Sequence, residues 1–578
     1  MKSSLFAVFV FALLSAAGGL AFNLTDDPDE ETTTVVVPLE SAKIEGAYDP
    51  LALAMATKGQ ISNYEATVPP QCYTKTAGTA NPCWTCHTNP QLPNELVDWE
   101  LQEEYAFSDF AMTNRWFNLF KDRREAMAGI GDEEVIAYVR GENYKALRDA
   151  LTTAPGYPGY VPDLDFEAGF DDEGFAKDGS MWRALRYKPF LGTFWPTNGS
   201  TDDVFIRLPE KFRTLDGKPS RDIYKANLSI LEAVIAAGPM AGRGSRFVYE
   251  IEPLNEEAIQ ADLDGDGRIA GVVREIRGFP QAYVGDASGE STRQYIYPKG
   301  TEYLHSVRYL DPEAPGMTAR RMKELRYSKK VKYLDSWGIS YMYEQEYNEK
   351  EAGDLPIFSG GPQVGILNGF GWQLQGFIED EKGRLRLQTS EEHQFCMGCH
   401  SAIGVTVDHT FTLARKVPGA EGWRYQNPTG LRDVPQQGHE KPEIATYFER
   451  VTGGDEFRAN AEVLSRFFEN GKPREAEIAR AAPGGDKDIT HLIAPSPRRA
   501  LDLNRAYMAI VREQSFQFGR DALLGPIENV HEHIENGSTD LADTGKVFRD
   551  GRLWLDWRWQ PPKGESTKRD QAEKSSPQ

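Results

Sequence analysis

Two short segments of the chain combine cysteine and histidine at a spacing that suits a metal-containing cofactor. Both read C-x-x-C-H, with Cys83, Cys86 and His87 in the first copy and Cys396, Cys399 and His400 in the second. This pattern is the attachment signature of c-type haem. Two thiols one helical turn apart can form thioether bonds to both vinyl groups of one porphyrin, and the following histidine then ligates the iron.

The same cysteines could serve two other kinds of site. The two C-x-x-C pairs could form a single four-cysteine zinc site, or each pair could be a redox disulfide of the thioredoxin type. Neither alternative needs a histidine directly after the second cysteine, and both copies have one. We therefore expect two covalently bound haem c groups, with His87 and His400 as ligands of the two irons.

With these motifs the chain resembles the exported dihaem c-type cytochromes, and the resemblance covers the two pentapeptides and their near flanks. It implies a periplasmic protein that carries out one-electron transfer through two haems. Dihaem peroxidases also carry two such motifs and a calcium site, which implies an alternative: an oxidoreductase with one electron-feeding and one catalytic haem. The wide separation of the two motifs departs from that compact arrangement. A third hypothesis is a redox-sensing module, and whether the chain is an enzyme stays open.

The second axial ligand of each haem decides whether the iron is closed or can bind a substrate. Outside the motifs, the chain offers several histidines and methionines, and the sequence does not select among them: His305, His393, His409, His439, His491, His531, His533, Met112 and Met508. The fifth cysteine, Cys72, belongs to neither motif. We interpret it as a buried thiol near the first haem, since the chain has too few cysteines for a disulfide-stapled scaffold.

Charge and export signals restrict the location and the partners. The 578 residues carry a net charge of −22, which argues against binding to nucleic acid and is compatible with a basic redox partner protein. Residues 1–21 have a positive charge near their start, at Lys2, and a continuous apolar run at 5–14. They therefore predict an export signal and a periplasmic or otherwise exported protein. We expect no membrane span after signal cleavage and, because no cysteine follows closely, no lipid-modified N-terminus. The oligomeric state is not indicated.

A loop rich in aspartate predicts a calcium site. Asp262, Asp264 and Asp266 occupy positions one, three and five of an EF-hand-like loop, Gly265 and Gly267 supply the turn, and Arg268 would contribute its backbone carbonyl. At position twelve Val273 replaces the glutamate that EF-hand and related loops use. We expect one bound Ca²⁺, against the alternative of an Asp-Gly turn on a charged surface.

The organisation predicted from these patterns is an α+β fold. Mainly helical, cytochrome c-like haem segments lie at both ends, around a mixed central region that contains strands. The predicted parts are a signal peptide 1–21, an acidic linker 22–45, a first haem segment 46–154, a central α/β region 155–390 with the calcium loop, a second haem domain 391–561 and a disordered tail 562–578. Within them we expect a mostly helical stretch at 99–151, a hairpin at 371–388 and a helix at 497–511.

Overall fold

An antiparallel sheet runs through the described part of the chain. The computed structural model describes residues 47–74, 82–89, 99, 101–104, 107–238, 247–352, 354, 356–401, 403–451, 458–535 and 547–562. The expected signal peptide 1–21, the linker 22–45 and the tail beyond residue 562 lie outside these ranges. Contacts gather Ile44–Gln578 into one unit. The domain boundaries expected near residues 154 and 390 stay predictions.

The strands of the described residues form one large sheet and three short hairpins. The large sheet has the order β1-β2-β7-β8-β11-β10-β9, and β12 also pairs with β11. The strands are β1 Arg183–Leu185, β2 Thr201–Arg207, β3 Thr214–Leu215, β4 Lys218–Pro219, β5 Val248–Asn255, β6 Val272–Arg277, β7 Glu302–Leu310, β8 Thr318–Lys330, β9 Gly360–Gly361, β10 Gly365–Leu367, β11 Trp372–Glu379, β12 Leu385–Leu387, β13 Phe468–Glu469 and β14 Lys472–Pro473.

The helices of the described residues are mostly short and lie around this sheet. They are α1 Ala52–Ala56, α2 Leu101–Glu104, α3 Arg124–Ala128, α4 Asp132–Arg140, α5 Lys145–Thr153, α6 Arg221–Ala236, α7 Glu256–Ile259, α8 Ser336–Glu351, α9 Ser390–His400, α10 Thr412–Arg415, α11 Glu443–Arg450, α12 Ala461–Phe467, α13 Glu475–Ile478, α14 Thr490–Ile493 and α15 Pro497–Glu513.

Both faces of the sheet are covered, because alternate side chains of one strand enter different clusters. On β2, Val204 and Ile206 pack with the buried helix α6, whereas Phe205 packs on the opposite face with Leu147 of α5. Successive side chains of a strand point to opposite faces, so a strand buried on both sides shows little polar alternation. This explains the continuous apolar run 204–206.

The three central strands bring polar residues together that are distant in sequence. His305 of β7 pairs with Arg326 of β8, and Arg326 pairs in turn with Gly376 of β11. The β7–β8 register shifts between Val307 and Arg308, and the shift leaves Lys323 as the extra residue of β8. Such a bulge redirects a side chain and is common beside functional sites.

The expected fold class is wrong, because the described residues form a large antiparallel sheet and the described parts of both expected haem segments are not mainly helical. In the stretch 99–151, which we expected to be mostly helical, helices α2 to α5 form, but several of the aromatic residues that suggested helix make tertiary contacts from turns. Trp116 Nε1 donates to the Val68 carbonyl at 2.9 Å, and the Phe107 ring packs on Tyr73 at 5.2 Å. Two local predictions are confirmed: the hairpin forms from β11 and β12, and the helix expected at 497–511 is α15.

Helix α9 carries the second cysteine motif at its C-terminal end, and its start is strongly capped. The Thr389 hydroxyl accepts from the Glu392 amide, and the Glu392 carboxylate accepts from the Thr389 amide, which is a capping box. Arg386 binds the same carboxylate with two hydrogen bonds of 2.8 and 2.9 Å. Burial by itself would raise the pKa of Glu392, but the charge and hydrogen bonds of Arg386 lower it to about 2.

We expect Gly371→Ala to destabilise the protein by about 1–3 kcal/mol. Gly371 has a φ of +91°, and an added Cβ would collide with the backbone carbonyl of Lys332. Gly278→Ala is the matched control, since Gly278 has a φ of +75° and its Cβ would meet nothing within 4 Å. Urea unfolding of both variants measures the difference, and equal losses would contradict the assigned collision.

The carboxylate of Glu392 should make the stability fall as the pH falls below about 4.5. Its pKa is lowered from 4.5 to about 2 in the folded protein. The unfolded chain therefore binds more protons between these values, and the stabilisation is lost as the pH falls from 4.5 towards 2. Glu392→Gln should cost about 3 kcal/mol at neutral pH and little near pH 2. Thermal unfolding against pH measures this, with the exposed Glu381→Gln as the control, and a pH-independent cost would count against it.

Candidate functional site

Both cysteine motifs line the same cavity, although they are far apart in the sequence. The cavity has a volume of about 1130 Å³. This is larger than the roughly 300–1,000 Å³ typical of small-molecule sites. Its wall includes every cysteine of the chain and both motif histidines: Cys72, Cys83, Cys86, His87, Cys396, Cys399 and His400. The structure therefore brings the two predicted sites together in one space.

The first motif lies on a tight turn that the C-terminal segment holds in place. The 3-10 turn Pro82–Thr85 carries Cys83, and the Cys86 and His87 amides both donate to the Cys83 carbonyl, at 3.0 and 2.7 Å. Trp84 is fully buried, and its Nε1 donates to Asp550 at 3.1 Å. The helical turn that a C-x-x-C-H segment needs thus depends on residues at the other end of the chain.

The imidazole of His400 is held in one tautomer. His400 Nδ1 lies 3.0 Å from the His409 carbonyl oxygen, which can only accept, so Nδ1 carries the hydrogen. Burial lowers the pKa of His400 to about 4, and the ring is neutral at pH 7. A neutral imidazole with a protonated Nδ1 has its lone pair on Nε2, which is the form that ligates a metal ion.

A buried ion pair supports the carbonyl that receives this hydrogen bond. Asp408 and His409 have left-handed φ values of 47° and 60°. Lys330 of β8 reaches the Asp408 carboxylate at 2.6 Å, and Trp372 Nε1 of β11 donates to the Asp408 carbonyl at 2.9 Å. The central strands of the sheet therefore fix the turn that orients His400.

Of the histidines that the sequence could not rank, the described structure places His305 on the cavity wall. Its Nε2 lies 3.2 Å from Asp202 Oδ2. His393 is ruled out as a ligand, since its Nε2 accepts from the Gly376 amide at 3.0 Å and its Nδ1 lies 2.9 Å from the Thr389 carbonyl. His409 uses Nδ1 on the Ser401 carbonyl, and its ring stacks on Phe370.

Cys72 lies between the two motifs rather than beside the first one alone. Burial raises the pKa of its thiol, and the charges of Cys83, Cys86 and Cys399 raise it further. The thiols of both motifs are thus close enough to Cys72 to interact with it.

The zinc alternative has no support in the described residues. Within them, one group of three or more His, Cys, Asp or Glu ligand atoms lies close enough to share a metal ion, and that group contains no cysteine. A four-cysteine zinc site would need all four thiolates at about 2.3 Å from one ion. The cysteines therefore line a space instead of converging on a point.

The converging group belongs to the expected calcium loop, which connects β5 with β6. Asp262 and Asp264 lie together with Glu256 of α7, their ligand oxygens within 4.8 Å of one another. Asp266 and Arg268 are not in this group; the Asp266 carboxylate accepts from the Arg268 amide at 2.7 Å. Val273, at position twelve, is a buried residue of β6. No sequence motif pointed to Glu256, which lies before the loop.

Comparisons with known proteins identify a family other than the expected one. A family model described as "-like lipoprotein" matches residues 56–484. An "Uncharacterized lipoprotein" of Aquifex aeolicus (strain VF5) is 33% identical over 520 residues, covering 79% of this chain and 86% of the relative. No solved structure matches significantly.

The assignment to the dihaem c-type cytochromes is therefore wrong. The one-electron-transfer function and the dihaem peroxidase alternative rested on that resemblance, and they fall with it. The physical reason is that a pentapeptide indicates only how a cofactor could be attached locally, whereas family membership depends on the sequence of most of the chain. Among the described residues no helix is both long and apolar enough for a membrane crossing. Because the matches extend over most of the chain, this protein belongs to the lipoprotein family that they identify, and it is an exported protein.

Proposed function

We propose that this protein is a periplasmic haem-binding member of its lipoprotein family, with two porphyrins attached covalently inside the central cavity. The observation that carries the proposal is that both C-x-x-C-H segments line one cavity of about 1130 Å³. Cys83 and Cys86 would hold one porphyrin, and Cys396 and Cys399 the other. The net charge of −22 suits a basic protein as partner.

The geometry of the second motif supports this use. Cys396 is buried, and Met397 anchors the same turn of α9 in the main core cluster. His400 offers Nε2 from a ring that the His409 carbonyl orients. When bound, haem iron supplies an axial position whose reactivity depends on its ligands and on the polarity of the surroundings. The residues of this chain would attach, orient and shield it.

Covalent attachment predicts a defined mass for each motif. The full chain, produced in a host that matures c-type haem proteins, should exceed its polypeptide mass by two haems in denaturing mass spectrometry. Cys83→Ala/Cys86→Ala and Cys396→Ala/Cys399→Ala should each retain one haem. Cys72→Ala is the matched control and should retain both, because Cys72 belongs to no C-x-x-C-H motif. A colourless product of unmodified mass would overturn the proposal.

We also propose that the loop between β5 and β6 binds Ca²⁺ through Asp262, Asp264 and Glu256, with Asp266 and the Arg268 carbonyl completing the shell. Glu256 supports this proposal because it is 1% exposed and reaches the loop from α7. Its carboxylate also accepts from the Leu263 amide at 2.6 Å, which holds it against the loop. Hard oxygen ligands of this kind suit Ca²⁺.

Removing the charge of Glu256 should weaken Ca²⁺ binding by at least about tenfold. Isothermal titration of the full chain should give a dissociation constant of about 10⁻⁴–10⁻³ M, as in extracellular calcium modules. Glu256→Gln keeps the size and an acceptor for the loop amides. The matched control is Glu257→Gln, which removes the charge of the exposed neighbouring residue. Equal weakening by both variants, or no binding by the unaltered chain, would contradict the assignment.

A further inference from the structure

One wall of the cavity contains a buried lysine without a carboxylate partner among the described residues. Lys323, the bulged residue of β8, is 2% exposed. Its Nζ donates to the Gly199 carbonyl at 2.7 Å and to Ser200 Oγ at 3.0 Å, which are both neutral acceptors. An ammonium group has three donors, so one is left. Burial lowers the pKa of Lys323 to about 7, while the more distant charges of Glu379, Glu324 and Asp521 act in the opposite direction.

Two more polar atoms of the cavity-lining side chains are buried without a hydrogen-bond partner in the described structure. The Tyr507 hydroxyl is one, and Nε of Arg520 is the other. Lys323 Nζ lies 4.0 Å from the centre of the Tyr507 ring, and all three side chains line the cavity. An unsatisfied buried donor costs about 1–3 kcal/mol, so free donors on three side chains that line one cavity call for an acceptor.

Three basic side chains of the cavity lining lie around Glu324. Arg326 and Arg520 share one carboxylate, Glu324, at 3.0 and 2.9 Å. Lys323 adds a third cation in the same region. Two further carboxylates of the cavity lining have partners of their own: Asp202 lies beside His305, and Asp521 binds Arg458 at 3.1 Å.

We propose that Lys323, Tyr507 and Arg520 form a binding site for a small inorganic oxyanion. Such an anion has several acceptor oxygens and a negative charge, and it would satisfy the free donor on each of the three side chains. None of the three residues belongs to a cysteine motif, so the site can be tested in a chain that lacks the motif cysteines.

The test is isothermal titration of the full chain with sodium sulfate and sodium nitrate, at an ionic strength held constant with sodium chloride. At least one of the two anions should bind with one-to-one stoichiometry. Tyr507→Phe removes only the unpartnered hydroxyl and should weaken binding about tenfold without loss of thermal stability. Lys323→Met should weaken it at least about a hundredfold. Tyr341→Phe, at an exposed position of α8, is the control and should bind unchanged.

A porphyrin carries carboxylates of its own, so a second arm separates the two sources of negative charge. The same titration is made on the chain with Cys83, Cys86, Cys396 and Cys399 all changed to alanine. Equal affinity of the two proteins supports a site for a free oxyanion. Binding by the cysteine-free chain alone would assign the site to the porphyrin carboxylates and overturn the proposal. Absence of binding by the native chain, or an unchanged affinity in Tyr507→Phe, would also overturn it.

Discussion

The hydrogen bond from His400 Nδ1 to the His409 carbonyl is the constraint on which the second motif depends. It selects the tautomer of the ring, and it requires the chain after α9 to turn back through two left-handed residues. That turn would not hold by itself, because non-glycine residues in this region cost about 1–3 kcal/mol each when unsupported. Lys330 and Trp372 provide the support from two neighbouring strands. The sheet is thus the frame of the site.

This support requires two charges to be buried together. Burial raises the pKa of Asp408 and lowers the pKa of Lys330, so desolvation disfavours each charged form, and the charge of the partner is the largest opposing influence on both. A buried ion pair is weak grounds for stability, since an apolar pair of similar volume is often as stable. An apolar pair could not hold the Asp408 turn, however, because the Asp408 carboxylate also accepts from the Tyr297 amide at 3.0 Å. The ion pair therefore fixes the geometry of the turn at Asp408, and this costs some folding stability.

Local signals in the sequence predicted local structure well and long-range structure poorly. The hairpin around Gly383 and helix α15 were predicted because turn residues, caps and periodicity lie within the segment itself. The cysteine motifs were found for the same reason. The wall formed by His305, Arg326 and Lys323 depends on strand order and on a register shift, which no local pattern encodes. Glu256 was missed because it approaches the calcium loop from a separate helix.

The net negative charge of the chain and the buried cations around Glu324 have a joint consequence for what the cavity can hold. A net charge of −22 lowers the concentration of anions near the surface, so an anion gains nothing from long-range steering. At short range the balance reverses, because a buried cation interacts through a lower effective dielectric and is screened little by salt. An anion that is already inside the cavity is attracted by Arg326 and Arg520, which bind Glu324, and by Lys323. Selection by this cavity is therefore a property of its interior, and the family name, shared by whole chains, carries no information about it.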